Sequence, residues 1–164
     1  MTPALRTRRV VTALVAAFSA IAFAFGVSTP AGAAVPTTKG TYGWVTADPG
    51  HVTALNAAYS MIGTMYLPGG STPAGFDCSG FTRWSFAQAG ISLPRDSRSQ
   101  QNATLTIGKE AARPGDLVFW GNPVYHVGIY VGEDMVIHSP SSGRGVSVIP
   151  IMWMGTPSSY GRVK

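Results

Sequence analysis

The apolar pattern of this chain changes period once, near Arg113, and that change restricts its possible folds more than any other feature. Before it, apolar side chains recur at helical spacing. Val52, Leu55, Tyr59 and Ile62 mark one segment; Phe81 and Trp84, with Phe86 and Ala89 on a second face, mark another. After it come short apolar runs suited to strands: "LVFWG", "YHVGIYVGEDMVIHSP" and "RGVSVIPI". Helices first and strands second argue for an α+β domain, with N-terminal helices packed on a mainly antiparallel sheet.

Local signals place the ends of these elements. Asp48-Pro49 reads as a helix start, Asp48 as cap and Pro49 in the first turn, with Gly63 as the stop. "YLPGGSTPAG" is a Gly/Pro-rich loop. A second helix is expected to open at Cys78 and to close at Gly90. "ISLPRDSRSQQN" follows as a turn with a short helix.

The start of the chain reads differently. Arg6, Arg8 and Arg9 precede an uncharged apolar run over residues 10–27, and Ala31-Gly32-Ala33 fits a small-x-small cleavage site. This is the layout of a secretory signal. A membrane anchor fits less well, because the run is near the lower limit for a span and Pro30 follows it. Residues 1–34 are therefore read as signal, 35–47 as a short leader and 48–164 as one domain, with no repeat and no second module. Removing the signal takes three of the 12 Lys/Arg side chains, against 7 Asp/Glu. The mature chain is then close to neutral, which gives no case for a nucleic-acid partner. No membrane span is expected once the signal is gone.

An exported chain with a single cysteine raises a chemical question. Cys78 has no disulfide partner within the chain. A free cysteine is often a small buried hydrophobe, or pairs with another molecule. Here Asp77 and Ser79 flank it and Gly75 and Gly80 leave the backbone uncrowded. At a helix N-terminus it would face unpaired N–H groups and the positive end of the dipole, which favour thiolate.

A nucleophilic thiol works with a base. The histidines are His51, His126 and His138. His51 falls in the first turn of a helix and is expected at the surface. The other two lie on the hairpin. If Gly132, Glu133 and Asp134 form a three-residue loop, Val131 faces Met135 and His138 stands opposite Gly128. His126 is then its diagonal neighbour on the same face. A two-residue turn would split the pair across the sheet. The assignment from spacing is Cys78 as nucleophile, His126 as general base and His138 as the group that orients the base. A Cys/His/His zinc site is the weaker reading, since none of the close ligand spacings is present.

With these residues in view, "MYLPGGSTPAGFDCSGFTRWSFAQAGISLPRDSRSQ", "ARPGDLVFWG", "HVGIYVG" and "MVIHSP", in that order, resemble the NlpC family of bacterial cysteine peptidases. The resemblance implies a compact papain-like α+β fold and the same three roles for Cys78, His126 and His138. It implies hydrolysis of peptidoglycan stem peptides at the cell wall, often between D-glutamate and a diamino acid, with no metal or organic cofactor. By position it adds Tyr66, Asp77 and Ser79 as cleft residues, and Arg95 and Ser97 from the "LPR-x-S" segment. Two positions depart from the family pattern: Met65 stands where proline is common, and Pro68 where an aromatic is common. A monomer is expected. The rival readings are a thiol-dependent transferase or amidase on another substrate, and a catalytically silent wall-binding module.

Overall fold

A computed structural model describes residues 48–164; the expected signal and leader lie outside the described residues. Helix α1 spans Pro49–Ser60, with the Asp48 side chain accepting from Gly50 N and Pro49 in the first turn. It stops at Ser60, before Gly63. The stripe it buries is His51, Ala54, Leu55 and Ala58, while Val52 and Ile62 are exposed. The expected apolar stripe is thus rotated. Alanines allow α1 to lie close to its neighbour, and that packing outweighs the larger apolar side chains beside them.

His51 corrects a second expectation. It is buried, not at the surface: its Nε2 lies 3.1 Å from the Val163 carbonyl and its ring meets Phe86 edge-on. The histidine ties the first helix to the last residues of the chain, a contact no local pattern announces.

After α1, the short strands β1 (Ser71–Thr72) and β2 (Gly75–Phe76) form a small antiparallel pair. Helix α2, Cys78–Ala87, follows, and then α3, Ser97–Ala103. The main sheet contains β3 (Leu105–Ile107), β4 (Leu117–Gly121), β5 (Val124–Gly132), β6 (Met135–His138), β7 (Ser147–Pro150) and β8 (Ser159–Arg162). Their order is β3-β8-β4-β5-β6-β7, antiparallel at every pairing. The chain is α+β, as expected. The strands β3 and β8 were not anticipated, and β8, the last strand, inserts between β3 and β4.

Alternation sorts the core into two layers. Leu117, Phe119, Val127, Ile129 and Ile137 pack against Phe81 and Phe86 of α2 and the buried face of α1. Val118, Trp120, Val136 and Tyr160 point to the other side, where Ile151 of a 3-10 turn covers them. Each fully buried aromatic such as Phe81 contributes ~1.5–3 kcal/mol over leaving it in water. Burial on both faces explains the unbroken apolar run of β4.

The hairpin turn differs from the expected one, with an instructive result. Gly132 pairs with Met135, so the loop is two residues, Glu133 and Asp134, both at positive φ. That is the geometry of a type I′ turn. The register then shifts between Tyr130 and Gly132, leaving Val131 as a bulge, and Tyr130↔Val136 and Ile129↔Ile137 restore the pairing that a three-residue loop would give. His126 and His138 therefore do share a face.

Candidate active site

The site is built where α2 meets β5. Asp77 caps the helix: its Oδ1 accepts from Gly80 N at 2.7 Å and from the Ser79 hydroxyl at 3.2 Å. Such a cap is worth ~1 kcal/mol. Asp77 N donates to the Gly70 carbonyl, and a Cβ on Gly80 would collide with that same carbonyl. The glycines let the loop press on the first helical turn and hold Cys78 in place.

Cys78 is partly buried and not disulfide-bonded. Backbone N–H groups of Val127, Ser79 and Cys78 itself lie close enough to its sulfur to favour the thiolate. The Val127 contact puts the sulfur one residue from His126 along β5. Burial pushes the thiol up, the nearby Asp77 charge adds to this, and the three amides work against them. A helix terminus by itself is expected to favour thiolate. In the folded chain desolvation outweighs it.

His126 is held on two sides. Trp120 stands opposite on β4, ring centroids 5.7 Å apart, with its own Nε1–H donated to the Gly155 carbonyl. On the other side His126 Nε2 lies 2.9 Å from His138 Nδ1, the two rings nearly perpendicular. Gly128 permits this approach: a Cβ there would meet Val136 Cγ2 at 2.5 Å and His138 Cβ at 3.2 Å. Burial and the neighbouring His138 push His126 down to about 3. Burial and the Arg144 charge bring His138 down to about 4. Both imidazoles are thus neutral near pH 7. The thiol is also held neutral, so a proton moved from sulfur to imidazole creates two opposite charges that stabilise each other in a poorly solvated site. Among the described residues no three His, Cys, Asp or Glu side chains converge as a metal site requires.

Of the five residues expected around the cleft, four form one network or border it. Arg95 donates from Nη2 to Asp77 Oδ2 at 2.6 Å, and from Nη1 to Asp77 Oδ1 and the Ser79 hydroxyl, both at 3.1 Å. Burial opposes ionisation of Asp77, but the Arg95 and Gly80 hydrogen bonds outweigh it and keep the carboxyl below its usual range. Tyr66 borders the same space. Its phenol is raised by burial and by the proximity of Cys78 and Asp77, against the charge of Arg95. Ser97 stands apart as the nearly buried first residue of α3, behind its cap Asp96.

Gln100 was missed. It is fully buried; its Nε2 donates to the Ser79 and Pro94 carbonyls at 2.9 Å each, and its Oε1 accepts from Thr82 Oγ1 at 2.7 Å. It fastens the first turn of α2 to the segment that carries Arg95. The one signal available was a glutamine in a short polar helix, which reads equally well as surface.

The sequence and the fold match known proteins. The family model described as NlpC/P60 matches residues 63–156. The chain belongs to the NlpC/P60 family. The bifunctional muramidase/DL-endopeptidase CwlT of Bacillus subtilis (strain 168) is 43% identical over 119 residues, covering 68% of this chain and 36% of that protein. The probable endopeptidase p60 of Listeria innocua is 48% identical over 88 residues, covering 52% and 19%. The NlpC/P60 chain thus spans well under half the length of these curated relatives. Among solved structures, the NlpC/p60 domain of the peptidoglycan hydrolase SagA is similar with a TM-score of 0.65 at 38% identity, covering 69% of this chain and 98% of that one. The peptidoglycan hydrolase RipB from Mycobacterium tuberculosis is similar with a TM-score of 0.64 at 30% identity, covering 70% and 64%.

Proposed function

We propose that this chain is an exported thiol endopeptidase that hydrolyses peptidoglycan stem peptides, with Cys78 as nucleophile, His126 as base and His138 as the group that orients the base. The observation that supports the reading is the sulfur at the start of α2, close to the amide of Val127, the residue that follows His126, with His126 itself paired to His138. For His126 to take the thiol proton, the ring needs a free lone pair. Its Nε2–H then donates to His138 Nδ1, leaving Nδ1 as the base. As the thiolate attacks the amide carbonyl, charge builds on the carbonyl oxygen. The N–H of Cys78, at the helix start, is suited to receive it. The imidazolium returns its proton to the leaving amine, and water hydrolyses the thioester to regenerate the thiol. No cofactor enters this sequence of steps.

The bond proposed is that between γ-linked D-glutamate and a diamino acid. The similarity to CwlT, which is named a DL-endopeptidase, supports it. The apolar, arginine-led start of the chain supports export, and among the described residues no helix is long and apolar enough to cross a membrane. The test is digestion of purified peptidoglycan fragments by the protein and by Cys78→Ala, with mass analysis of the products. New amino termini at the diamino acid are expected with the wild type alone. Fragments left intact by the wild type, or cut equally by both proteins, would sink the proposal.

A further inference from the structure

Three extended segments run side by side at the edge of the site. Tyr66 N donates to the Arg144 carbonyl at 2.9 Å, and Met65 bridges Gly145 in antiparallel register. On its other side Tyr66 bridges Phe76, two residues before Cys78. In this register Tyr66 lies opposite Arg144, and opposed residues on paired strands project to one face. Two strand spacings separate the Arg144 backbone from that of Phe76, roughly 10 Å, which an arginine side chain spans much of the way. The charge of Arg144 is felt at His138 as well.

The other arginine of the site is already committed. Arg95 makes a two-pronged ion pair with Asp77. None of the ion pairs among the described residues uses Arg144, and its side chain is exposed. The site therefore has one cation not neutralised by a protein carboxylate. The substrate proposed above carries the complement. A γ-linked glutamate keeps its α-carboxylate free, and a diamino acid that ends the peptide, or that carries two carboxyl groups, keeps a carboxylate beyond the scissile amide.

We propose that Arg144 binds a substrate carboxylate flanking the scissile amide, so that the loop between β6 and β7 forms a wall of the cleft. This rests on the stem-peptide reading and names the group that the loop recognises. A guanidinium fork matches a carboxylate through two parallel N–H donors.

Three synthetic stem peptides test it: one with free carboxylates, one amidated at the glutamate α-carboxyl and one amidated at the diamino acid. With the free peptide, Arg144→Ala is expected to raise KM ~10-fold or more with kcat nearly unchanged, as for loss of a charge-assisted hydrogen bond. Arg144→Lys should fall between, because it keeps the charge without the fork. The penalty should vanish for whichever amidated peptide lacks the recognised carboxylate, which identifies the source. Equal penalties on all three peptides, or none on any, would overturn the assignment. If the wild type cleaves no peptide, the hydrolytic reading fails separately. Binding of the free peptide to Cys78→Ala, with and without Arg144→Ala, then still decides the role of Arg144: weaker binding with the second substitution supports it, and equal binding ends it.

Discussion

Replacing His138 separates the orienting role from general structural support. The side chain is almost fully buried, and its Nδ1 lies 2.9 Å from His126 Nε2. His138→Ala removes that partner and leaves a buried N–H without an acceptor, at a cost of ~1–3 kcal/mol. Emptying the ring volume adds to this, since large-to-small core changes cost ~2–5 kcal/mol. A combined loss of about 3–8 kcal/mol is expected, a large share of the ~5–15 kcal/mol typical of a domain. Activity must therefore be read under conditions where urea titration shows the variant to be folded. A general base contributes ~10²–10⁴-fold, so His126→Ala should lower kcat by that order. His138→Ala keeps the base and loses its alignment, so a fall of roughly 10- to 100-fold is expected, the smaller of the two effects. His138→Asn returns an amide oxygen to the position of Nδ1 and should recover part of both stability and kcat. The assay is turnover of a defined stem peptide followed by mass spectrometry. Equal kcat losses for the two alanine variants in folded protein would refute the division of roles. So would an asparagine variant no better than alanine.

Two further outcomes follow from the same geometry. His126 and His138 take a proton only near pH 3 and 4 in the fold, by the values of about 3 and about 4, whereas an unfolded histidine does so near ~6.5. Between those values the unfolded chain holds more protons, so their contribution is complete above ~6.5 and is lost as pH falls, by about 1.4 kcal/mol per pH unit for each imidazole. The urea midpoint should drop between about pH 7 and pH 5, less steeply in His138→Asn, and a flat profile in the wild type would contradict the burial of the pair. Gln100→Leu keeps most of the side-chain volume but strips hydrogen bonds from the Ser79 and Pro94 carbonyls. It should cost ~1–3 kcal/mol in urea unfolding, and an unchanged midpoint would show that Gln100 does not brace the helix.

What the sequence alone determined about this protein is local. Asp77 caps α2 and Asp48 caps α1 because a carboxylate two or three residues before an unpaired N–H can reach it within the same turn. The shared face of His126 and His138 follows from the period of a strand. The face is shared with a two-residue turn as well, because a bulge at Val131 supplies the extra residue. The tertiary structure decided everything that depends on distant segments. It put β8 between β3 and β4, buried His51 against Val163, and closed Gln100 onto two carbonyls. It also set the charge state of the site. A helix terminus favours thiolate wherever it occurs, but how much water remains around Cys78 and His126 depends on what packs over them. Solvation is a property of the assembled neighbourhood, which no stretch of sequence contains.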